Sequence, residues 1–344
     1  MIKGQSPFLT YGYITGRLRV LETTLITPAQ WQRMAAANSL YELQTVLAET
    51  VYGDALRDVA TAEDAEAVLN RFLAQNYQLI NESIANKQVK ESLNLYFRAK
   101  YDFLNLKSLL KSGFGQEISW PLSPLGLIAP ETLSRLISGE EKLARVWFSQ
   151  AGLTIFTEAV AAAAAQYDRY GRLEIIDVAL DKAYYWLLLE TAKQLKSSFV
   201  TNLTKYLIDL ANLKIIKRCL AGVALVAPLS EYLISGGFLA PESLALVTNV
   251  AKLLPLLSAW SDTRLQALVT NYLTTNTTKK YDYLTDQWLS LYLQAAKLQV
   301  VGVEIVVAYL LQRELEIKQV RTLLLAHLAA VKPEFIREWV VLSG

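Results

Sequence analysis

Three copies of one short pattern, evenly spaced, constrain most strongly what this chain can fold into. The segment Asp102–Lys107 returns as Asp209–Lys214, and again as Glu316–Arg321 with a conservative change at each polar position. The acidic residue that opens each copy lies 107 positions after the previous one. In a chain of 344 residues this period predicts three copies of one structural unit. A solenoid of small repeats would show a shorter period.

The composition predicts that these units are helical. Apolar residues make up 53% of the chain and charged residues 19%, which excludes a disordered protein. The chain has only 15 glycines and 9 prolines, and this scarcity favours long helices. No segment alternates apolar and polar residues as a half-buried strand does. We therefore predict an all-α fold of three bundles with about five helices each.

Prolines mark corresponding points in the three units. Pro130 and Pro241 each follow an alanine, precede a glutamate and lie four positions after a glycine, Gly126 and Gly237 respectively. Proline at the first helical position and an acid in the first turn both favour the start of a helix. Pro28 occupies the corresponding place in the first unit.

Local signals predict the helices of the first unit. A helix over 11–25 would place its apolar residues on one face. Thr27 is then the N-cap of a second helix, with Gln30 completing a capping box. Ser39 predicts the same device at the start of a third helix.

Proline- and glycine-containing segments at 119–126 and 227–237 separate the units. Both follow a signature helix, as a repeat requires. We therefore predict three helical modules with boundaries at 1–117, 118–227 and 228–344.

The acidic residue and the amide of each signature share one helical face, because they lie three positions apart. The pairs are Asp102 with Asn105, Asp209 with Asn212, and Glu316 with Gln319. Such a pair can hold an adjacent helix or loop through hydrogen bonds to free backbone groups. It can also face a partner across an interface. We favour the internal structural role.

Motifs for chemistry are missing from the sequence. No HExxH, cysteine pair, acid-rich metal box or P-loop occurs. Asp177 and Asp181 share a helical face, but acids with this spacing are common on solvated helices. Cys219 is expected to be an inert core residue and indicates a reducing compartment, and His327 is the single histidine. We predict no catalytic, metal-binding or cofactor-binding residues, and no cofactor.

Charge and hydropathy narrow the classes of partner. The net charge of +2 gives no basic face for nucleic acid. The most apolar stretch, 298–311, is interrupted by Gln299 and Glu304 and is too short to span a bilayer, which takes roughly 20 apolar residues. No secretory signal opens the chain. The positive mean hydropathy of +0.23 predicts surface buried in cores or against partners.

A family resemblance is spread over the whole chain. The segments that carry it are Tyr11–Glu22, Leu25, Thr27–Trp31, Ser39–Leu43, Tyr52–Gly53, Glu316–Arg321 and Pro333–Arg337. In this order and spacing they resemble the C subunit of the archaeal and bacterial V/A-type rotary ATPases, whose eukaryotic counterpart is the d subunit. Two departures stand out: Gly16 replaces a small alanine, and Gln319 stands where the third copy usually has asparagine.

The resemblance implies a funnel of three helical modules around a pseudo-threefold axis. It implies that the protein binds the membrane rotor ring at the cytoplasmic side, in a peripheral position with no transmembrane segment. It further implies that the funnel receives the central shaft, made of the D and F subunits. The protein would transmit torque between ATP chemistry and proton or sodium transport, and would perform no chemistry itself.

Two other interpretations of the residues remain open. One is a different all-helical scaffold that binds proteins, and the other is a helical enzyme with an unrecognised apolar pocket. An adaptor is expected to show no turnover alone and to bind the D–F shaft or the rotor ring. An enzyme is expected to have a deep pocket lined by acids with shifted pKa values.

Overall fold

The computed structural model describes residues 7–118, 121–138, 150–275 and 281–336. Within these ranges the chain is helical, with turns between helices and no strand, which confirms the all-α prediction. In chain order the helices are α1 Pro7–Glu22, α2 Pro28–Ala36, α3 Leu40–Leu47, α4 Gly53–Leu56, α5 Ala62–Ser83, α6 Lys87–Gly113, α7 Pro130–Ile137, α8 Gln150–Tyr170, α9 Glu174–Gln194, α10 Ser198–Leu220, α11 Leu229–Tyr232, α12 Pro241–Ala245, α13 Val250–Leu253, α14 Thr263–Thr274, α15 Tyr281–Leu293, α16 Val303–Leu328 and α17 Pro333–Ile336. Two 3₁₀ segments, Leu254–Ala259 and Gln294–Leu298, extend α13 and α15.

The chain forms two compact units. The first combines 1–90 with 262–344, and the second comprises 91–261. Helices from the first and last parts of the chain, such as α1 and α16, therefore pack together in the first unit. The division into three modules remains a prediction.

The first unit is built around α16. This helix packs against α1, α3, α5 and α15. Most of its residues are buried, and Val306, Leu310 and Leu324 have no exposed surface. Because its apolar residues lie on several faces, the helix needs such a central place. No described helix is both long enough and apolar enough to cross a membrane.

The second unit has a core formed by α6, α7, α8 and α9. Phe103 of α6 and Phe156 of α8 lie at its centre, with ring centroids 5.1 Å apart. Leu133 of α7 and Leu180 of α9 close this cluster and are fully buried. Helix α10 packs along α9. The helices of the second unit thus meet through apolar side chains.

The helix starts predicted at Pro28, Leu40, Pro130 and Pro241 are confirmed, whereas the helix predicted over 11–25 begins earlier, at Pro7. The Thr27 hydroxyl accepts from the Gln30 backbone NH at 3.3 Å, and the Gln30 side-chain oxygen accepts from the Thr27 NH at 2.9 Å. This is the capping box expected for α2. Ser39 caps α3 by accepting the Glu42 NH, but the capping box predicted there is incomplete, because the Glu42 carboxylate accepts the NH of Asn38 instead of that of Ser39. Pro130 and Pro241 take the first positions of α7 and α12.

Three details depart from the sequence predictions. Helix α1 ends at Glu22, so Leu25 lies beyond it. It ends there because the Thr23 and Thr24 hydroxyls donate hydrogen bonds to carbonyl groups of the last helical turn. The second linker contains the short helix α11. Cys219 is half-buried near the end of α10 and is not a core residue. Burial still raises the pKa of its thiol.

Part of the predicted pattern falls outside the described residues. Ser119 and Trp120 of the first linker are in this group, as is Arg337 of the last family segment. The remainder of the first linker, 121–126, is non-helical as predicted.

Gly16 provides a test of helix propensity in α1. A Cβ at this position would meet no atom within 4 Å, so Gly16→Ala removes backbone entropy from the unfolded chain without a clash. We expect the free energy of unfolding to rise by about 0.5–1 kcal/mol in urea denaturation. Gly53→Ala is the opposite control, because its Cβ would lie 2.6 Å from the Ala48 Cα. Equal effects of the two substitutions would contradict this account.

Candidate functional site

The three signature helices are α6, α10 and α16, and their polar residues are the feature that the repeat preserves. In the first copy, the carboxylate of Asp102 accepts the backbone NH groups of Leu127 at 2.9 Å and Ile128 at 3.0 Å. Asp102 has no exposed surface. The two NH groups belong to the residues just before the alanine and proline that start α7. The signature acid therefore holds the entry to the next helix.

The second copy repeats this contact. Asp209 accepts the NH groups of Phe238 at 3.0 Å and Leu239 at 3.1 Å, directly before α12. It also accepts the indole NH of Trp260 at 2.7 Å. The prediction of an internal role for the acid is confirmed in both copies.

The repeated glycines follow from this close approach. A Cβ on Gly126 would overlap an oxygen of Asp102, and a Cβ on Gly237 would overlap an oxygen of Asp209. Glycine at this place lets the backbone come within hydrogen-bonding distance of the buried acid. The shared spacing in the sequence is the visible sign of this geometry.

The signature amides hold a second point of each linker. The Asn105 oxygen accepts the Ser123 NH at 2.8 Å, and its NH₂ group donates to the Ser123 carbonyl at 2.9 Å. Asn212 makes the same pair of bonds with Ile234, both at 2.8 Å. Each asparagine thus bonds to the NH and C=O of one residue, as a neighbouring strand would.

The third copy keeps the acid but changes its partners. Glu316 accepts the backbone NH of Ile26 at 2.6 Å, directly before Thr27 and the start of α2. It also accepts the hydroxyl of Tyr52 at 2.6 Å and pairs with the buried Arg313. Burial, followed by the charge of Glu316, raises the pKa of Tyr52 well above its ordinary value, so the hydroxyl keeps its proton.

The position of the glycine is taken by Thr24 in the third copy. Arg313 donates to the Thr24 hydroxyl at 2.8 Å. The longer glutamate reaches the backbone without the close approach that the two aspartates need. The charge of the buried carboxylate is balanced by a buried guanidinium, which also touches the Tyr309 hydroxyl at 3.3 Å.

Burial governs the acidity of the two aspartates. It raises the pKa of Asp102 and of Asp209 to about 6, although their hydrogen bonds to backbone NH groups act in the opposite direction. Arg98 and Lys205 also lower the two pKa values, respectively. Both acids direct their oxygens at the backbone of the protein, so their raised pKa values come from core burial rather than from a catalytic cavity.

In the first and third copies the last signature residue joins its helix to a neighbour within its unit. Lys107 pairs with Asp181 at 2.6 Å, and Lys111 pairs with Asp177 at 2.5 Å, joining α6 to α9. The two acids are therefore ion-paired rather than simply solvated. Arg321 pairs with an acid of α5 at 2.9 Å in the other unit.

Metal ligands are not gathered anywhere in the described part of the chain. No group of three or more His, Cys, Asp or Glu side chains there could hold a metal ion. The arrangement of the signature side chains is suited to positioning helices and loops.

Comparison with known proteins gives relatives along nearly the whole chain. The model of the ATP synthase (C/AC39) subunit family matches residues 14–339. The A-type ATP synthase C subunit of Methanocaldococcus jannaschii is 25% identical over 349 residues, covering 96% of this chain and 86% of the relative. That of Haloferax volcanii is also 25% identical, covering 96% and 97%. The V-type ATP synthase C subunit of Deinococcus radiodurans is 27% identical over 222 residues, covering 62% and 61%.

The glycine contact predicts a large effect of one methyl group. Gly237→Ala places a Cβ against the buried Asp209 carboxylate, so the linker must move and its bonds to the acid must lengthen. We expect a loss of about 2–4 kcal/mol in the free energy of unfolding, as for other overpacked or unsatisfied buried sites. Gly113→Ala, which meets no atom within 4 Å, is the matched control. A loss no greater than that of the control would argue against a close contact.

The raised pKa values predict a pH dependence of stability. Each aspartate has a pKa near 3.8 when unfolded and about 6 when folded, so the folded protein binds more protons in this interval. The stability that each acid contributes is therefore complete below pH 4 and is lost as the pH rises through 6. The expected loss is on the order of 3 kcal/mol for each acid.

Urea denaturation at several pH values between 4 and 7 measures this loss. Asp102→Asn removes one titrating group, so the difference in stability between wild type and variant should shrink as the pH rises. A difference that stays constant or grows over this range would show that burial does not raise the pKa of Asp102.

Proposed function

The chain belongs to the ATP synthase (C/AC39) subunit family, and we propose that it is the non-catalytic subunit of the central stalk. In this role it joins the D–F shaft to the membrane rotor ring and transmits torque for ATP-coupled proton or sodium transport. It lies at the cytoplasmic side of the membrane and reaches the membrane sector through the ring.

The observation that carries the proposal is the threefold use of one contact. The acids of the signature helices bond to backbone NH groups just before Pro130, Pro241 and Pro28, in that order. Each signature helix holds the start of the next module, and the last one holds the start of the first. This cyclic order is what three modules around one axis require. It supports a pseudo-threefold funnel with modules 1–117, 118–227 and 228–344.

Torque transmission needs modules that resist deformation. The buried acids, the amide pairs and the ion pairs fix linkers and helices at several points. Close-packed interiors transmit strain rather than absorbing it. A rotor adaptor built in this way would lose little rotation to internal bending.

Protein partners are supported by the exposed apolar surface of the first unit. Phe8, Leu9 and Tyr13 of α1 are large apolar residues and each is mostly exposed. Such side chains are typical of surfaces that meet other proteins. The low net charge leaves binding to shape and packing more than to long-range attraction.

Reconstitution tests the proposal. We expect the purified chain to bind both a purified D–F subcomplex and the detergent-solubilised rotor ring, and to hydrolyse no ATP alone. A complex assembled without it should hydrolyse ATP but should not move ions across a vesicle membrane. Adding the chain back should restore ion transport.

Two results would count against the proposal. If the chain binds neither the D–F subcomplex nor the ring, it is instead a different all-helical scaffold that binds other proteins. If complexes that lack the chain couple hydrolysis to transport as well as complete ones, it does not carry torque.

A further inference from the structure

A pocket of about 300 Å³ opens in the first unit beside the third signature. It lies among α1, α2, α15 with its 3₁₀ extension, and α16. Much of its lining is polar or charged, including Glu22, Ser290, Gln294, Lys297, Gln312 and Gln319. It is at the small end of ligand pockets, which hold roughly 300–1,000 Å³.

Gln319 is the unusual member of this lining. Its side chain is 93% buried, since only 7% remains exposed, and its oxygen Oε1 has no hydrogen-bond partner. A buried acceptor without a donor costs free energy, so it is retained only where something compensates for it. The residue occupies the position of Asn105 and Asn212 in the other copies.

Those two asparagines show what this position does. Each bonds to both the NH and the C=O of one linker residue, Ser123 or Ile234. Both linker residues lie seven positions before the proline that starts the next helix. Seven positions before Pro28, the third copy has Leu21.

Leu21 cannot serve as the partner of Gln319. It lies inside α1, and its carbonyl accepts from both the backbone NH and the hydroxyl of Thr24, at 3.0 and 2.7 Å. The amide of the third copy has therefore lost the linker backbone that its two counterparts hold. A pocket lies beside it instead.

We propose that this pocket binds an extended main-chain segment of another protein, and that Gln319 bonds to one residue of that segment. The inference rests on the proposed function for its occupant, a segment of the D–F shaft. Because the Gln319 oxygen is itself buried, the amide would turn toward the pocket as the segment binds. The bound residue would then offer its NH to this oxygen and its C=O to the NH₂ group, as Ser123 and Ile234 do in the other copies.

The bonding pattern of this position favours an extended segment. A helix has few free NH and C=O groups, whereas an extended chain has both on every residue. This mode of binding is the addition of a strand to a fixed row of donors and acceptors.

The rim of the pocket offers contact for an apolar side chain of the segment. Leu298 and Val300 follow Lys297 and are 86% and 77% exposed. Arg19 of α1 donates to the carbonyls of Lys297 at 3.2 Å and Gln299 at 2.8 Å, which holds this rim in place. The polar and charged lining suits the main chain of a soluble shaft protein.

Gln319→Leu separates binding from folding. The variant removes the unpartnered oxygen, so we expect the Tm of the free chain to stay the same or rise. We expect its affinity for the purified D–F subcomplex to fall at least tenfold, with ring binding unchanged. Asn212→Leu is the matched control, because it leaves the NH and C=O of Ile234 unpaired and should lower the Tm.

A second measurement is independent of stability. A benzoylphenylalanine in place of Gln294, which lines the pocket, should cross-link to one of the two shaft proteins, D or F, in the assembled complex. The same residue in place of Asp168, which is exposed on α8 of the other unit, is the control position and should not give this product.

The outcomes distinguish this inference from the proposed function. If wild type binds D–F and Gln319→Leu binds equally well, the inference alone is wrong. A fall in Tm as large as that of Asn212→Leu would show that Gln319 is satisfied within the chain, which also overturns it. Weaker ring binding with an unchanged shaft affinity would overturn the choice of occupant. If wild type does not bind D–F at all, the proposed function fails and the inference fails with it.

Discussion

A buried carboxylate that accepts backbone NH groups is the interaction on which the rest of this protein depends. The first NH groups of a helix and those of the turn before it have no partner within the helix. Here α7 and α12 begin next to the core, where such groups cannot bond to water. Asp102 and Asp209 supply the acceptors, and each thereby fixes both the position of a linker and the direction of the helix that follows.

The third copy shows how the same task is performed with different residues. Glu316 has one more methylene than aspartate, so it needs no glycine opposite it, and Thr24 can occupy that place. The acid is paired with the buried Arg313 and bonded to Tyr52. Removing one partner of such a buried pair is more damaging than replacing both, because a charge is left unpaired. The contact that Glu316 makes with the first part of the chain therefore depends on both Arg313 and Tyr52.

Divergence between copies also changes which groups remain available. Asn105 and Asn212 are satisfied by linkers of their own chain, whereas α1 is helical at the corresponding point and leaves Gln319 without that partner. When one copy of a repeated contact loses its partner within the chain, as at Gln319, that position can take on a binding role. The three copies of the signature therefore need not all have the same task.

The amino-acid sequence alone determines much of the local structure of this protein. The helical class, the capping box at Thr27 and the helix starts at Pro130 and Pro241 follow from neighbouring residues, because capping and propensity act within one turn. The spacing of the signature also predicted an internal role for its acids. The tertiary structure alone decided which groups those acids hold, and that 1–90 pack with 262–344. It also decided that Asp177 and Asp181 are ion-paired and that Cys219 is half-buried. These features arise between segments far apart in the chain, where the approach of two backbones, and not the pattern of either one, selects the partner.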